Sequence, residues 1–139
     1  MRDCIFVDTA GWASLFIKTE LFHLDAKKYF NQYRKDNIRF ITTNYILVEL
    51  VALLNSPIRT PRSMLFKVIN AIREAPYVNL IHITDAIDLK AWELIQKRKD
   101  KLWSLVDVSS FIVMEQFNIQ NAFTTDHHFE QAGFIRLLK

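Results

Sequence analysis

Cys4-Ile5-Phe6-Val7-Asp8-Thr9 is the stretch whose reading decides the fold. Four consecutive apolar residues are too few for a helix and form a short buried strand, while Asp8-Thr9 stops that strand where a helix through Trp12 and Phe16 begins. Asp8 therefore stands at the carboxyl end of a strand. In sheets built from alternating strands and helices, that end is where ligands bind.

The same alternation continues outward from this start. Leu24, Tyr29, Phe30 and Tyr33 punctuate a charged segment and predict an amphipathic helix over Leu24 to Lys35, followed by a second strand at Ile38 to Ile41. Thr42-Thr43-Asn44 offers caps for a helix from Tyr45 to Leu54, which Asn55-Ser56-Pro57 ends. Ser56 to Pro61 is the clearest loop, and Pro61 suits the first position of a helix over Arg62 to Glu74. Val78 to Ile83 reads as a third strand, and Thr84-Asp85 caps a helix running towards Lys99. A further helix spans Val106 to Phe117 and a strand Ala122 to Thr124; Gly133 parts a last helical turn from a final Phe134-Ile135 strand. The expected fold is α/β, a central parallel sheet flanked by helices.

Bulk properties narrow the class. The 139 residues, half of them hydrophobic with only two Gly and three Pro, fit a single domain over 1–139 with a core of its own. A lone cysteine, Cys4, excludes an intramolecular disulfide and any multi-cysteine zinc site, and suits a reducing cytoplasm. The apolar run at Cys4 to Val7 is too brief for a signal peptide, and Tyr45 to Leu54 is about half the roughly 20 residues of a membrane span. The expectation is thus a cytoplasmic protein with no membrane partner. A net charge of +3 permits an anionic partner such as nucleic acid without requiring one.

Four acids stand out. Glu49 sits mid-helix, with Tyr45, Ile46, Ala52 and Leu53 at helical spacing around it, so its carboxylate is on a face suited to burial. Asp107 opens an apolar helix with Ser110 on its own face, and Asp8 and Asp126 mark strand-to-helix junctions. Each has an ordinary explanation as a cap, a complement to the helix dipole, or an edge residue that reaches water. Taken together, two positions follow strands and two lie on helices that a parallel sheet can bring to one edge. Carboxylates that converge repel and raise one another's pKa, which a hard cation such as Mg²⁺ or Mn²⁺ relieves. A cation bound through few carboxylates retains water that it can acidify, and polarises phosphate oxygens, chemistry that fits phosphodiester hydrolysis.

Other polar residues carry weaker signals. Thr9 and Thr125 neighbour the acids and are supporting hydroxyls or simple caps, and Ser110 is the better helper because it shares a face with Asp107. Lys99, Lys101, Arg59 and Arg62 are candidates to grip phosphates, with a solvated basic surface as the plainer account. Trp103 and Tyr45 could stack on bases, although core packing is commoner. The adjacent His127 and His128 are expected to point apart and to serve the surface, and neither His23 nor His82 has a visible partner.

Ile5-Phe6-Val7-Asp8-Thr9-Ala10, Glu49 in its apolar helix, Trp103-Ser104-Leu105-Val106-Asp107-Val108-Ser109-Ser110-Phe111 and the run from Ala122 through Thr125-Asp126-His127-His128-Phe129 to Phe134 occur in this order along the chain. The ordered set resembles the PIN-domain family, and within it the VapC-type toxins of bacterial toxin–antitoxin pairs. The resemblance implies an α/β/α sandwich and carries Asp8, Glu49, Asp107 and Asp126 over as a metal-binding catalytic quartet, with Ser110, Thr9 and Thr125 as polar support. It further implies an endoribonuclease using one or two Mg²⁺ or Mn²⁺ ions, a homodimer, and a small antitoxin whose tail enters the acidic groove. The alternatives are a PIN-like module that binds RNA or protein without cutting, and a housekeeping nuclease without an antitoxin. A haloacid-dehalogenase phosphatase would need a second aspartate where Ala10 stands, and a phosphorelay receiver needs adjacent acids that Val7-Asp8-Thr9 lacks.

Overall fold

The computed structural model describes residues 3–139; the first two residues of the expected 1–139 domain lie outside them. In chain order the elements are β1 Cys4–Val7, α1 Thr9–Phe16, α2 His23–Lys35, β2 Arg39–Thr43, α3 Asn44–Asn55, α4 Arg62–Glu74, β3 Val78–Ile81, α5 Asp85–Lys97, α6 Leu105–Gln116, β4 Asn121–Phe123, α7 His128–Gln131 and β5 Ile135–Arg136. The strands form one sheet in the order β3-β2-β1-β4-β5, with each neighbouring pair parallel. Helices flank this sheet, giving the expected α/β sandwich.

The strand order fixes where a ligand goes. From β1 the chain moves outward through β2 to β3, then crosses back to lay β4 on the other side of β1. The connections after β1 and β4 thus leave the sheet in opposite directions, and the gap between the carboxyl ends of these two strands is a topological switch point. Register sets the adjacency: Val7 pairs with Phe123, so the next residues, Asp8 and Thr124, emerge side by side.

Local chemistry explains the helix starts. Thr43 accepts from Ile46 N and Thr84 from Ile87 N, each as an N-cap, while Ser104 and Asp107 form a reciprocal capping box on α6. Gly11 is dictated by packing: a Cβ there would lie 1.9 Å from the Phe123 carbonyl oxygen, so only glycine lets α1 sit against the end of β4. Gly133, at φ +95°, makes the left-handed turn into β5.

The core lies between sheet and helices. Phe6, Phe40 and Phe123 are fully buried on the strands, and Trp12, Leu50, Ile72, Met114 and Phe129 close over them from the helices. Phe30 stacks on Phe40 at 4.5 Å between centroids, and Phe111 meets Phe129 edge-on at 5.0 Å.

Several boundaries move from their sequence expectation. β2 runs to Thr43 and not to Ile41, because threonine is a good strand residue as well as a cap. β3 ends at Ile81, α5 at Lys97, and Thr124 falls just beyond β4, where its hydroxyl has other work.

Candidate active site

Asp8, Glu49, Asp107 and Asp126 line one cleft of about 290 Å³ at the switch point. Asp8 arrives from the end of β1, Asp126 from the turn after β4, Glu49 from the middle of α3 and Asp107 from the first turn of α6. Thr9 and Glu20 complete the polar lining, and among the described residues no lysine or arginine joins them. A larger cavity of about 680 Å³ opens among Ile5, Ile38 and Asn121, at the amino ends of the strands, away from these carboxylates.

Asp8 is the most constrained of the four. It is 5% exposed; Oδ1 accepts from Gly11 N at 2.9 Å as the N-cap of α1, and Oδ2 accepts from Thr124 Oγ1 at 2.7 Å. Burial pushes its pKa up to about 7 against these two hydrogen bonds, with the charges of Asp126 and Asp107 adding to the rise. The capping role and the place in the cleft coincide in one side chain.

The other three are partly exposed. Glu49 accepts from the Thr9 hydroxyl, and its pKa is raised first by burial and then by the charges of Asp107 and Asp126. Asp107 Oδ2 accepts from Ser104 N at 3.0 Å in the capping box; burial, then Asp126, raises its pKa, while the Ser104 bond and His128 oppose the rise. Asp126 Oδ1 accepts from His128 N at 2.9 Å, and Asp126 N donates to Thr124 Oγ1 at 2.9 Å. Hydroxyl and backbone N–H donors hold the carboxylates, no lysine or arginine lines the cleft among the described residues, and much of the negative charge they share is left to be met by something that enters it.

The supporting residues divide. Thr9 holds Glu49 as a cleft residue, but the Ser110 hydroxyl is fully buried and bonds back to the Val106 carbonyl at 3.0 Å, the local alternative open to any helical serine. Thr125 offers its carbonyl to Arg136 Nη1 at 2.9 Å. Thr124, which sequence reasoning passed over as a strand residue, is the hydroxyl that joins two of the acids; only the β1–β4 register reveals this. Glu20 was also missed, since it lies in the irregular stretch after α1, where spacing carries no signal.

The histidine expectation needs correction. The rings of His127 and His128 lie side by side with centroids 4.4 Å apart, because the chain turns into α7 at His127. His128 Nδ1 lies 3.0 Å from Asp126 Oδ1 and 3.5 Å from Asp107 Oδ2, at the rim of the acidic cleft. His23 also has a partner: its Nδ1 is 2.9 Å from the Ser14 carbonyl. Trp103 takes the core alternative, buried against Phe111 with Nε1 donating to Gln131, and Tyr45 donates to Asp88 at 2.6 Å.

None of the four basic candidates lines the cleft. Arg59 and Lys99 are exposed, Arg62 bonds Asn55 and covers the Phe66 ring, and Lys101 approaches Asp100 at 4.0 Å.

The chain is 34% identical over 133 residues to the 23S rRNA-specific endonuclease VapC20 from two strains of Mycobacterium tuberculosis, covering 96% of this chain and 97% of the relative. It belongs to the VapC-type PIN-domain family of toxin ribonucleases. The crystal structure of M. tuberculosis VapC20, described as a sarcin–ricin loop cleaving toxin, superposes with a TM-score of 0.86 at 31% identity, over 97% of this chain and 99% of that one. No family model matches the chain. The VapC likeness thus spans the sheet, the switch point and the late Asp107 and Asp126 segments alike.

Proposed function

We propose that this VapC-type chain is a metal-dependent endoribonuclease whose catalytic and metal-binding residues are Asp8, Glu49, Asp107 and Asp126, and that it cuts large-subunit ribosomal RNA at the sarcin–ricin loop. One observation carries the reading: four carboxylates from four separate elements line one cleft at the switch point of a parallel sheet, with no lysine or arginine among them. Such a group is stable in its ionised form only with a cation, and an all-oxygen set suits Mg²⁺ or Mn²⁺. When bound, the ion supplies Lewis-acid activation of water and of a phosphate oxygen.

The chain's own groups then have distinct tasks. Thr124 fixes Asp8 and the backbone of Asp126 relative to one another, and Thr9 fixes Glu49. The Ser104 N–H holds one oxygen of Asp107 and leaves the other for the cleft. Arg59, Arg62, Lys99 and Lys101 grip the phosphate backbone outside the cleft, where they position RNA without entering the chemistry.

The exposed surface supports the reading of its partners. Leu21 and Leu24 are 90% and 79% exposed beside the cleft residue Glu20, which suits an antitoxin with an apolar segment and a basic tail directed at the carboxylates. Val48 on α3 and Leu89 and Trp92 on α5 are exposed around the Tyr45–Asp88 bond that ties these helices, a face suited to a homodimer. No helix among the described residues is long and apolar enough to cross a membrane, and the proposed site of action is the cytoplasm.

The test is cleavage of a sarcin–ricin stem-loop RNA by the purified protein with Mg²⁺ or Mn²⁺, beside a stem-loop of scrambled loop sequence. A single cut in the first and none in the second supports the assignment. Equal cutting of both, or of neither, overturns the substrate.

A further inference from the structure

At the rim of the cleft, Asp126, His127 and His128 present one carboxylate oxygen and two imidazole nitrogens, all within 4.8 Å of one another. The contacts to Asp126 Oδ1 are 3.0 Å from His128 Nδ1 and 3.9 Å from His127 Nδ1. These spacings bracket the separation of roughly 3.4 Å between neighbouring ligand atoms that tetrahedral coordination requires with metal–ligand bonds of roughly 2.0–2.1 Å. His128 Nδ1 is buried and makes no well-directed hydrogen bond although it lies 3.0 Å from Asp126 Oδ1 and 3.5 Å from Asp107 Oδ2, so a ring nitrogen is held against two carboxylates where a cation would bridge them. The two rings lie close, with centroids 4.4 Å apart.

The donor set differs in kind from the all-carboxylate cleft. Imidazole nitrogens favour Zn²⁺, Co²⁺ and Ni²⁺, whereas Mg²⁺ prefers oxygen. We propose that Asp126, His127 and His128 form a second cation site for an imidazole-preferring divalent ion such as Zn²⁺, and that its occupation withdraws Asp126 from the carboxylate quartet and inhibits the nuclease. The binding part stands on the three side chains alone; the inhibitory part rests on the proposed nuclease reading.

Co²⁺ serves as the spectroscopic probe for the Zn²⁺ site. Full-length protein titrated with Co²⁺ develops visible d–d bands of a tetrahedral, nitrogen-bearing site, and added Zn²⁺ abolishes them. His127→Ala and His128→Ala each weaken Co²⁺ binding roughly tenfold or more, at least what loss of an outer-shell partner costs, while Glu49→Gln leaves the bands in place. His127→Gln and His128→Gln, which keep side-chain volume, give the same loss and guard against misfolding of the alanine variants. In a second arm, micromolar Zn²⁺ suppresses Mg²⁺-supported RNA cleavage by the wild type but not by the histidine variants, each relative to its own rate without Zn²⁺. Co²⁺ binding that is undiminished in the histidine variants overturns the site. Co²⁺ bands that depend on both histidines, in a protein whose cleavage is insensitive to Zn²⁺, overturn the inhibition and keep the site; a protein that cuts no RNA fails the nuclease reading and leaves the Co²⁺ result to decide the site by itself.

Discussion

Thr124 Oγ1 donates to Asp8 Oδ2 at 2.7 Å and accepts from Asp126 N at 2.9 Å, so a single buried hydroxyl ties the carboxyl ends of β1 and β4 together at the acidic cleft. Replacing it by valine keeps the volume and removes both bonds. Thr124→Val leaves the buried Asp8 oxygen unsatisfied, a loss of about 1–3 kcal/mol, with a smaller loss at the partly buried Asp126 N–H, both readable in urea denaturation. Thr124→Ser keeps the hydroxyl, and with it most of the stability and the RNA cleavage that valine loses.

Asp8 makes the largest contribution to the pH dependence of the metal-free protein, beside the smaller rises at Glu49 and Asp107. Its pKa is about 7 in the folded chain against an ordinary 3.8. Between those values the unfolded chain has lost a proton that the folded chain retains, so the stability contributed by protonated Asp8 is complete below about pH 4 and is lost as pH rises towards 7. Asp8→Asn cannot ionise and still caps α1. Its stability advantage over the wild type without metal should grow across that window to on the order of 4 kcal/mol and then level off, as followed by urea midpoints at successive pH values. An advantage that shrinks with rising pH would contradict the assignment.

Protons and cation compete for the same oxygens. Mn²⁺ affinity of the wild type, measured by calorimetry, should therefore rise between about pH 6 and pH 8 as Asp8 gives up its proton. Salt concentration is held fixed, since screening would otherwise obscure the trend.

Gly11 is required by the contact between α1 and β4. A Cβ at 1.9 Å from the Phe123 carbonyl oxygen cannot be relieved by a side-chain rotation. Gly11→Ala should cost roughly 3 kcal/mol or more and separate Asp8 from Thr124, lowering cleavage further than stability alone explains. Wild-type stability in this variant would show that the two elements can part without cost.

Trp92 is 47% exposed on α5, one turn from Asp88. If the α3–α5 face joins two copies, Trp92→Glu yields a monomer by light scattering where the wild type is a dimer, with the fold retained. An unchanged mass in the variant would remove this face from the proposed interface.

The order of strands and helices was legible because the apolar runs are short and their ends carry caps: Thr43 and Thr84 accept from the third residue on, as their sequence positions imply, whereas the Ser104 cap of α6 emerges only in the structure. The four acids were legible only as a set: each alone reads as a cap or an edge residue, but two follow strands and two lie on helices that a parallel sheet can bring to one edge, in the order that resembles the VapC-type toxins. Thr124, Glu20 and the pairing of His127 with His128 were not legible. The first depends on register between strands over a hundred residues apart, the second on an irregular turn, and the third on the chain leaving regular geometry just before α7. Ser110 failed for the opposite reason, since sharing a helical face with Asp107 says nothing about the carbonyl one turn back, which takes its hydroxyl.

The central claim is that the carboxylates act in RNA cleavage as well as in capping, and Asp107 separates these roles best because its capping bond to Ser104 N survives replacement by asparagine. The decisive measurement is cleavage of total bacterial RNA by purified wild type and Asp107→Asn, with Mg²⁺, Mn²⁺ or EDTA, after circular dichroism has shown both to be folded. The account predicts cutting by the wild type that needs the metal, is abolished by EDTA, and falls by two orders of magnitude or more in the variant, roughly the contribution of a directly acting catalytic group. Equal cutting by the folded Asp107→Asn protein, or cutting by the wild type that persists in EDTA, would contradict it.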